Sequence, residues 1–202
     1  SGGHGQYGHV KMTFEPSGDM DTPYVFEQTV VGGAVPKNFF PAVEKGIAES
    51  VKKGPLAAYP VTGIKAVLYD GSYHPVDSSE MAFKVATQQA FKKGIMEAKP
   101  VLLEPIATLK VVVPEGYTGD VMGELNKRRA RVMGMNPTDN GYQEIVADIP
   151  HLELYGYNAT LRSMTSGSGT FSYEFARYEQ APDDVAAKQI EERASKLVEV
   201  EE

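Results

Sequence analysis

Residues 107–176 carry the same ordered pattern twice, and few folds accept it. Ala107, Leu109, Val111 and Val113 alternate with Thr108 and Lys110, the period of a half-buried strand. Tyr117, Val121 and Leu125 then recur every four residues, as one face of a helix does. Val132 to Met135 is a short apolar strand, and Pro137-Thr138-Asp139-Asn140-Gly141 is a turn whose Asn-Gly pair is a strong hairpin signal. Gln143 to Ile149 returns as a strand, Leu152 to Ser163 has a helical pattern weakened by Gly156, and Phe171, Tyr173 and Phe175 alternate with Ser172, Glu174 and Ala176. The resulting order, βαββαβ, predicts a split βαβ, ferredoxin-like layer of helices on an antiparallel sheet.

The first half is patterned differently. Val10, Met12 and Phe14 alternate with polar residues up to Pro16-Ser17-Gly18, and Tyr24 to Val31 reads as a second strand. Pro41 suits a first helical turn, Val43, Ile47 and Val51 give that helix its stripe, and Gly54 is the expected stop. Ile64 to Tyr69 is a third strand. A second helix follows, with Asp77 expected to cap it, Glu80 to complete a capping box, and Phe83, Ala86 and Ala90 to face the core. Pro100 and Pro105 bracket an extended connector, so the expected organisation is one domain over 1–103 and a second over 104–180. An acidic terminal helix over 181–202 has enough apolar content at Val185, Ile190, Leu197 and Val198 to dock in part on the body. The fold class is α+β with two domains.

Composition removes several function classes. The 202 residues include no cysteine, so there is no disulfide framework, thiolate nucleophile or cysteine zinc site, which fits a cytosolic protein. No apolar run approaches a membrane span. The net charge of −7 argues against non-specific nucleic-acid binding, which needs a basic surface, so any RNA contact would be local and shape-dependent. No Walker A or kinase signature is present, so the chain does not bind GTP by a P-loop.

Two polar loops exceed what folding requires: residues 1–9, Ser-Gly-Gly-His-Gly-Gln-Tyr-Gly-His, and residues 70–77, Asp-Gly-Ser-Tyr-His-Pro-Val-Asp. They hold three of the four histidines, and loops on a rigid scaffold are where contacts concentrate. Gly3 to Gly8 spells G-x-G-x-x-G, but no strand precedes it and a strand rather than a helix follows, against a dinucleotide site. His4, His9 and His74 with Asp70 and Asp77 allow a metal site on paper, and Ser72, His74 and Asp77 a hydrolytic triad. Neither has the spacing of a known helical or elbow motif, and solvated loop residues account for both sets. Lys127, Arg128, Arg129 and Arg131 form the densest basic patch, open to two readings: a solvated helix C-terminus favoured by its dipole, or a phosphate contact that Arg162 could join.

These segments resemble a known family. Residues 1–10 resemble the S-G-G-R-G-Q-Y-G-H-V segment of bacterial elongation factor G. Leu68 to His74 with Val76 to Phe83 resembles its L-Y-D-G-S-Y-H-x-V-D-S-S-E-M-A-F segment. Val31-Gly32-Gly33 with Pro36-Lys37 and Pro41-Ala42-Val43, Gly119 to Asn126 with Arg128-Arg129 and Met133-Gly134-Met135, and Gly156-Tyr157 with Leu161-Arg162-Ser163 extend the match over nearly the whole chain. The resemblance implies the fourth and fifth domains of a translational GTPase. The first would be a ribosomal-protein-S5-domain-2-like β-α-β domain, its opening strand missing, and the second ferredoxin-like. It implies that the fragment is not itself an enzyme: it has no cofactor or metal of its own, and GTP and Mg would bind the absent GTPase domain. It implies a cytoplasmic, monomeric partner of the ribosome whose tip loops contact the tRNA–mRNA duplex at the decoding centre during translocation. The RNA-contact residues so implied are Gly5, Gln6, Tyr7, Gly8 and His74 at the tip, with Arg128, Arg129 and Arg162 in the fifth domain. His4, Pro75 and Ser168 stand where the family commonly has arginine, an acidic residue and arginine. That leaves a paralogue acting in ribosome recycling or ribosome protection as the alternative to the translocase, and a metal- or histidine-dependent hydrolase as a remote one.

Overall fold

The computed structural model describes residues 4–198. Ser1, Gly2 and Gly3 of the first loop motif, and the terminal-helix expectation beyond 198, lie outside the described residues. The chain divides into two compact units, 1–100 with 184–202, and 101–183. Among the described residues no helix is long and apolar enough to cross a membrane.

The first unit has three strands and two long helices: β1 (His9–Pro16), β2 (Tyr24–Gln28), α1 (Phe40–Ser50), β3 (Ile64–Ser72) and α2 (Glu80–Glu97). β3 is central, antiparallel to β1 and parallel to β2. Val43 and Ile47 of α1, Ala66 and Leu68 of β3, and Phe83 and Phe91 of α2 are fully or almost fully buried. Burying a side chain of this size is worth about 2 kcal/mol, and that sum fixes the tip loops to a rigid body. Phe39 stacks on Phe83 at 4.6 Å between ring centroids, and Phe14 meets Phe91 edge-on at 5.7 Å.

Several local expectations shift. β2 stops at Gln28, where its parallel pairing with β3 ends and the Gln28 side chain accepts a hydrogen bond from the Val30 N–H at 3.1 Å, turning the chain. β3 continues to Ser72, so Asp70, Gly71 and Ser72 are paired strand residues rather than loop. α1 closes at Ser50 without a left-handed residue. Gly54 instead donates its N–H to the Tyr59 carbonyl at 2.8 Å in the following turn. The cap of α2 is Ser79, whose Oγ accepts the Ala82 N–H at 3.0 Å; Asp77 has other partners. The buried stripe of α2 runs through Phe83, Thr87, Phe91 and Ile95, while Ala86 and Ala90 are half-buried. Thr87 hid the stripe from a hydropathy reading. Its hydroxyl is satisfied by the Phe83 carbonyl at 2.8 Å, so it can be buried at little cost.

The second unit is built from β4 (Leu103–Pro114), α3 (Thr118–Lys127), β5 (Arg131–Pro137), β6 (Tyr142–Pro150), α4 (Tyr157–Met164) and β7 (Thr170–Gln180). The strand order is β5-β6-β4-β7, all neighbours antiparallel. This is the ferredoxin-like arrangement that the βαββαβ order predicts. Leu109, Val111, Val121, Leu125, Ile145, Ile149, Tyr157 and Leu161 form its core. Asn140 and Gly141 both take positive φ, 62° and 75°, as the tight turn requires. The helix expected over 152–163 is broken: a single 3-10 turn spans His151–Leu154, and α4 starts after Gly156, whose φ of +73° ends one element and begins the next. β7 is an edge strand, so its alternation buries little: Tyr173 and Phe175 are 50% and 60% exposed.

The terminal helices α5 (Asp183–Glu192) and α6 (Ser195–Val198) return to the first unit. Arg193 donates to the carbonyls of Ala57 and Ala58 at 2.6 and 3.1 Å, and its guanidinium lies 3.7 Å over the Tyr59 ring. Tyr59 Oη donates to Gln189 Oε1 at 2.8 Å. These polar and cation–π contacts hold the terminal helices to the body, and Val185, Ile190 and Leu197 are partly buried beside them, while Val198 is exposed.

Candidate nucleic-acid interface

The two polar loops meet at one end of the first unit. β1 and β3 pair as far as His9 and Ser72, so the residues before His9 and after Ser72 emerge side by side. The next contacts are specific. Tyr7 N–H donates to the Asp77 carbonyl at 2.9 Å and Gly5 N–H to Asp77 Oδ1 at 2.7 Å. Ser78 Oγ donates to the Tyr7 carbonyl at 2.8 Å while accepting the His74 N–H, also at 2.8 Å. Ser79 Oγ, besides capping α2, bonds Gln6 Oε1 at 3.3 Å. Asp77 is therefore the residue that clasps the loops together, a role its sequence position did not suggest.

Gly8 lets the first loop lie on the start of α2: a Cβ there would sit 2.6 Å from the Ala82 carbonyl oxygen. That approach leaves a shallow open groove between Gln6 and the exposed Met81 and Val85 of α2.

His74 has a defined setting. Its side chain is half exposed, and Nδ1 accepts the N–H groups of Val76 and Asp77 at 3.2 and 3.1 Å. The ring caps the turn that Pro75 opens, as a side-chain acceptor does at a helix start. Asp77 Oδ2 lies 3.4 Å from the same nitrogen, and Tyr7 lies 6.4 Å away, tilted. Ser72 Oγ pairs instead with Tyr7 Oη at 2.6 Å and His9 Nδ1 at 2.9 Å. The Ser72–His74–Asp77 triad is thus not assembled: His74 does not reach the serine and its Nδ1 is engaged by backbone. Among the described residues no three of His, Cys, Asp and Glu come together so as to hold a metal ion. The Asp70 carboxyl is held below its ordinary value by the Gly71 N–H and by Lys11, 3.3 Å away.

The basic residues of the second unit are differently placed. Arg128 is consumed internally: Nε bonds Glu124 at 2.9 Å, Nη1 donates to the carbonyls of Glu153 and Tyr155 at 2.6 and 3.0 Å, and Nη2 donates to Thr160 Oγ1 at 3.1 Å. Arg129 forms a two-pronged pair with Glu104 at 2.9 and 3.0 Å and a further bond to Glu153 at 3.1 Å. The Glu104 and Glu153 carboxylates raise its already high pKa. Arg131 shares Asp148 with Arg177, at 3.1 and 2.8 Å. Of the sequence cluster only Lys127 makes no side-chain hydrogen bond or ion pair among the described residues, and Arg162 on α4 makes none either. The Glu124–Arg128 pair was readable as an i, i+4 spacing. The Glu104 and Glu153 partners were not, because they come from other elements.

Arg128 and Arg129, which follow α3, therefore act first as a clamp on residues 153–155. They leave Tyr155 projecting, 94% exposed, on a backbone whose carbonyl is fixed. The exposed Tyr155 was not singled out from sequence, where an aromatic beside Gly156-Tyr157 reads as core.

Comparison with known proteins matches this geometry to a family. Residues 1–99 match elongation factor G, domain IV, and residues 101–189 match the elongation factor G C-terminus. An elongation factor G-like protein of Thermotoga maritima is 50% identical over 201 residues, which is 100% of this chain and 29% of that protein. A crystal structure of a protein from Thermus thermophilus superposes with a TM-score of 0.81 at 44% identity, covering 96% of this chain and 29% of the other. The chain spans less than a third of the length of these relatives. With both family matches laid end to end along it, and a solved fold that overlays nearly all of it, the chain belongs to the elongation factor G family, as its domain IV and C-terminal domain.

Proposed function

We propose that this chain is the ribosome-binding part of a translational GTPase, and that its tip loops contact the tRNA–mRNA duplex at the decoding centre to promote translocation. The observation that carries this reading is the clasp between residues 5–7 and 77–79, which holds Gln6 and His74 outward on a rigid body. Glycines at positions 5 and 8 let backbone approach a sugar–phosphate surface, and Gln6 and His74 suit the 2′-hydroxyls of a shallow RNA minor groove. GTP and Mg would bind a separate GTPase domain of the full-length protein, which would work in the cytoplasm as a monomer.

In the second unit, Arg162, Lys127 and Lys110 are cations that make no side-chain hydrogen bond or ion pair among the described residues, and Arg162 and Lys127 are the ones proposed to meet phosphate. Arg128 and Arg129 serve the same contact by fixing the segment that ends in Tyr155. A paralogue acting in recycling or ribosome protection is the second reading. It is favoured by His4, Pro75 and Ser168 at positions where the family commonly carries charge.

The test uses the full-length protein on programmed ribosomes. His74→Ala should slow mRNA movement about tenfold, and far more than it slows GTP hydrolysis. GTP hydrolysis by the unsubstituted protein with no mRNA movement would transfer the assignment to the recycling or protection reading. An unchanged translocation rate in the variant would remove the tip from the mechanism.

A further inference from the structure

The hydrogen bonds inside the tip fix which way its two exposed polar side chains face. Nδ1 of His74 accepts two backbone N–H groups, from Val76 and Asp77. A proton on Nδ1 would forfeit both bonds and point N–H at N–H, so the ring proton belongs on Nε2. Nε2 has no hydrogen-bond partner among the described residues, and the side chain is half exposed. Asp77 Oδ2 is 3.4 Å from Nδ1, but the same carboxylate accepts the Gly5 N–H at 2.7 Å and has a purpose without a protonated ring.

Gln6 is oriented by the same logic. Ser79 Oγ accepts the Ala82 N–H, so its hydroxyl hydrogen is free to bond the Gln6 carbonyl oxygen at 3.3 Å. That bond turns the oxygen toward Ser79, so the end of the amide facing away from Ser79 is its NH2 group.

We infer that the tip is polarised as a pair of hydrogen-bond donors, His74 Nε2–H and Gln6 NH2, and that its ligand is a row of acceptor atoms. In RNA those are 2′-hydroxyl oxygens together with the minor-groove O2 of pyrimidines and N3 of purines. This rests on the RNA-contact reading above and adds its direction. The backbone N–H groups of residues 76 and 77, with Ser79, are the positioning groups. They act through His74 and Gln6 rather than on RNA. A donor pair is sequence-tolerant, because every nucleotide offers such acceptors, and it rejects a ligand edge that presents donors.

The first arm of the test is spectroscopic and uses the nitrogen-15-labelled 202-residue chain near neutral pH. Two-bond proton–nitrogen correlations, assigned by their loss in His74→Ala, should show a pyridine-type Nδ1 and a pyrrole-type Nε2 for His74. A protonated Nδ1, in either the other tautomer or the imidazolium, overturns the proposal.

The second arm measures translocation by the full-length protein carrying His74→Gln or His74→Glu. Gln can donate and Glu cannot. Loss of one hydrogen bond is worth about fivefold, and an acceptor set against an acceptor costs more, so Glu should be slower than Gln by about tenfold or more. Equal slowing by Gln and Glu, with Ala also slow, overturns the donor assignment while leaving the RNA contact standing. No slowing by any of the three, Ala included, overturns the contact itself and the donor assignment with it.

Discussion

At the level of single residues, the tip and the second core obey opposite rules. Around His74 and Asp77 every polar atom used to fix the loops has a named partner, so the unpaired atoms face solvent, where a ligand can reach them. Tyr157 is the reverse case: its ring is fully buried between Phe171, edge-on at 5.1 Å, and the Arg128 guanidinium at 5.1 Å, yet its hydroxyl has no hydrogen-bond partner among the described residues. Burial pushes its pKa up from 10.0 to about 12. Tyr157→Phe should therefore stabilise the 101–183 unit by about 1 kcal/mol in denaturant titrations, because it removes a stranded polar group and keeps the packing. The sign with pH follows. A group whose folded pKa is raised contributes stability that is full below 10.0 and is lost as pH rises toward about 12. The variant should lose less stability than the parent chain across that alkaline window, and equal losses would show that Tyr157 does not ionise there.

At the level of elements, caps decide where the functional segments begin. Ser79→Ala should cost about 1 kcal/mol through loss of the α2 cap. It should also release Gln6, so amide exchange at residues 5–8 should quicken along with that at 80–83. Exchange confined to the helix start would separate the cap from the tip. The end of α3 has the opposite character. Arg129 sits at φ 57°, in the left-handed region that glycine normally fills, and its two carboxylate partners hold it there. The sequence showed the strands, the helices and the hairpin of the second unit through periodicity and Asn140-Gly141. It also singled out the two polar loops, through segments no folding argument needed. It did not show that Ser79 rather than Asp77 caps α2, since both are good caps and only the partner chosen across space separates them. Nor did it show that Arg128 and Arg129 face inward, because Glu104 and Glu153 reach them only after the sheet has formed.

For the whole molecule, charge is the organising constraint. On the proposed reading, a chain of net charge −7 would meet RNA through a few exposed donors and cations rather than a basic field. Its arginines are mostly spent on its own carboxylates. Burial works to raise Asp148, but Arg177 and Arg131 outweigh it and hold its carboxyl below the ordinary 3.8. A depressed carboxylate contributes stability above 3.8 that is lost as pH falls through the lowered value. Asp148→Asn should therefore weaken the second unit at neutral pH and flatten its acid unfolding, as followed by circular dichroism. Arg162→Ala should reduce the salt dependence of ribosome binding by the full-length protein, since that cation is not committed internally; an unchanged slope would place the contact elsewhere. The most direct measurement is where the tip lies when the protein is bound. The present chain has no cysteine, so Val76→Cys, in a full-length protein otherwise free of cysteine, puts one iron chelate beside His74. Hydroxyl-radical cleavage of the decoding-centre RNA of the small subunit and of the tRNA paired there is the result this account predicts. Cleavage confined to the large subunit, or none above that from free chelate, would contradict it.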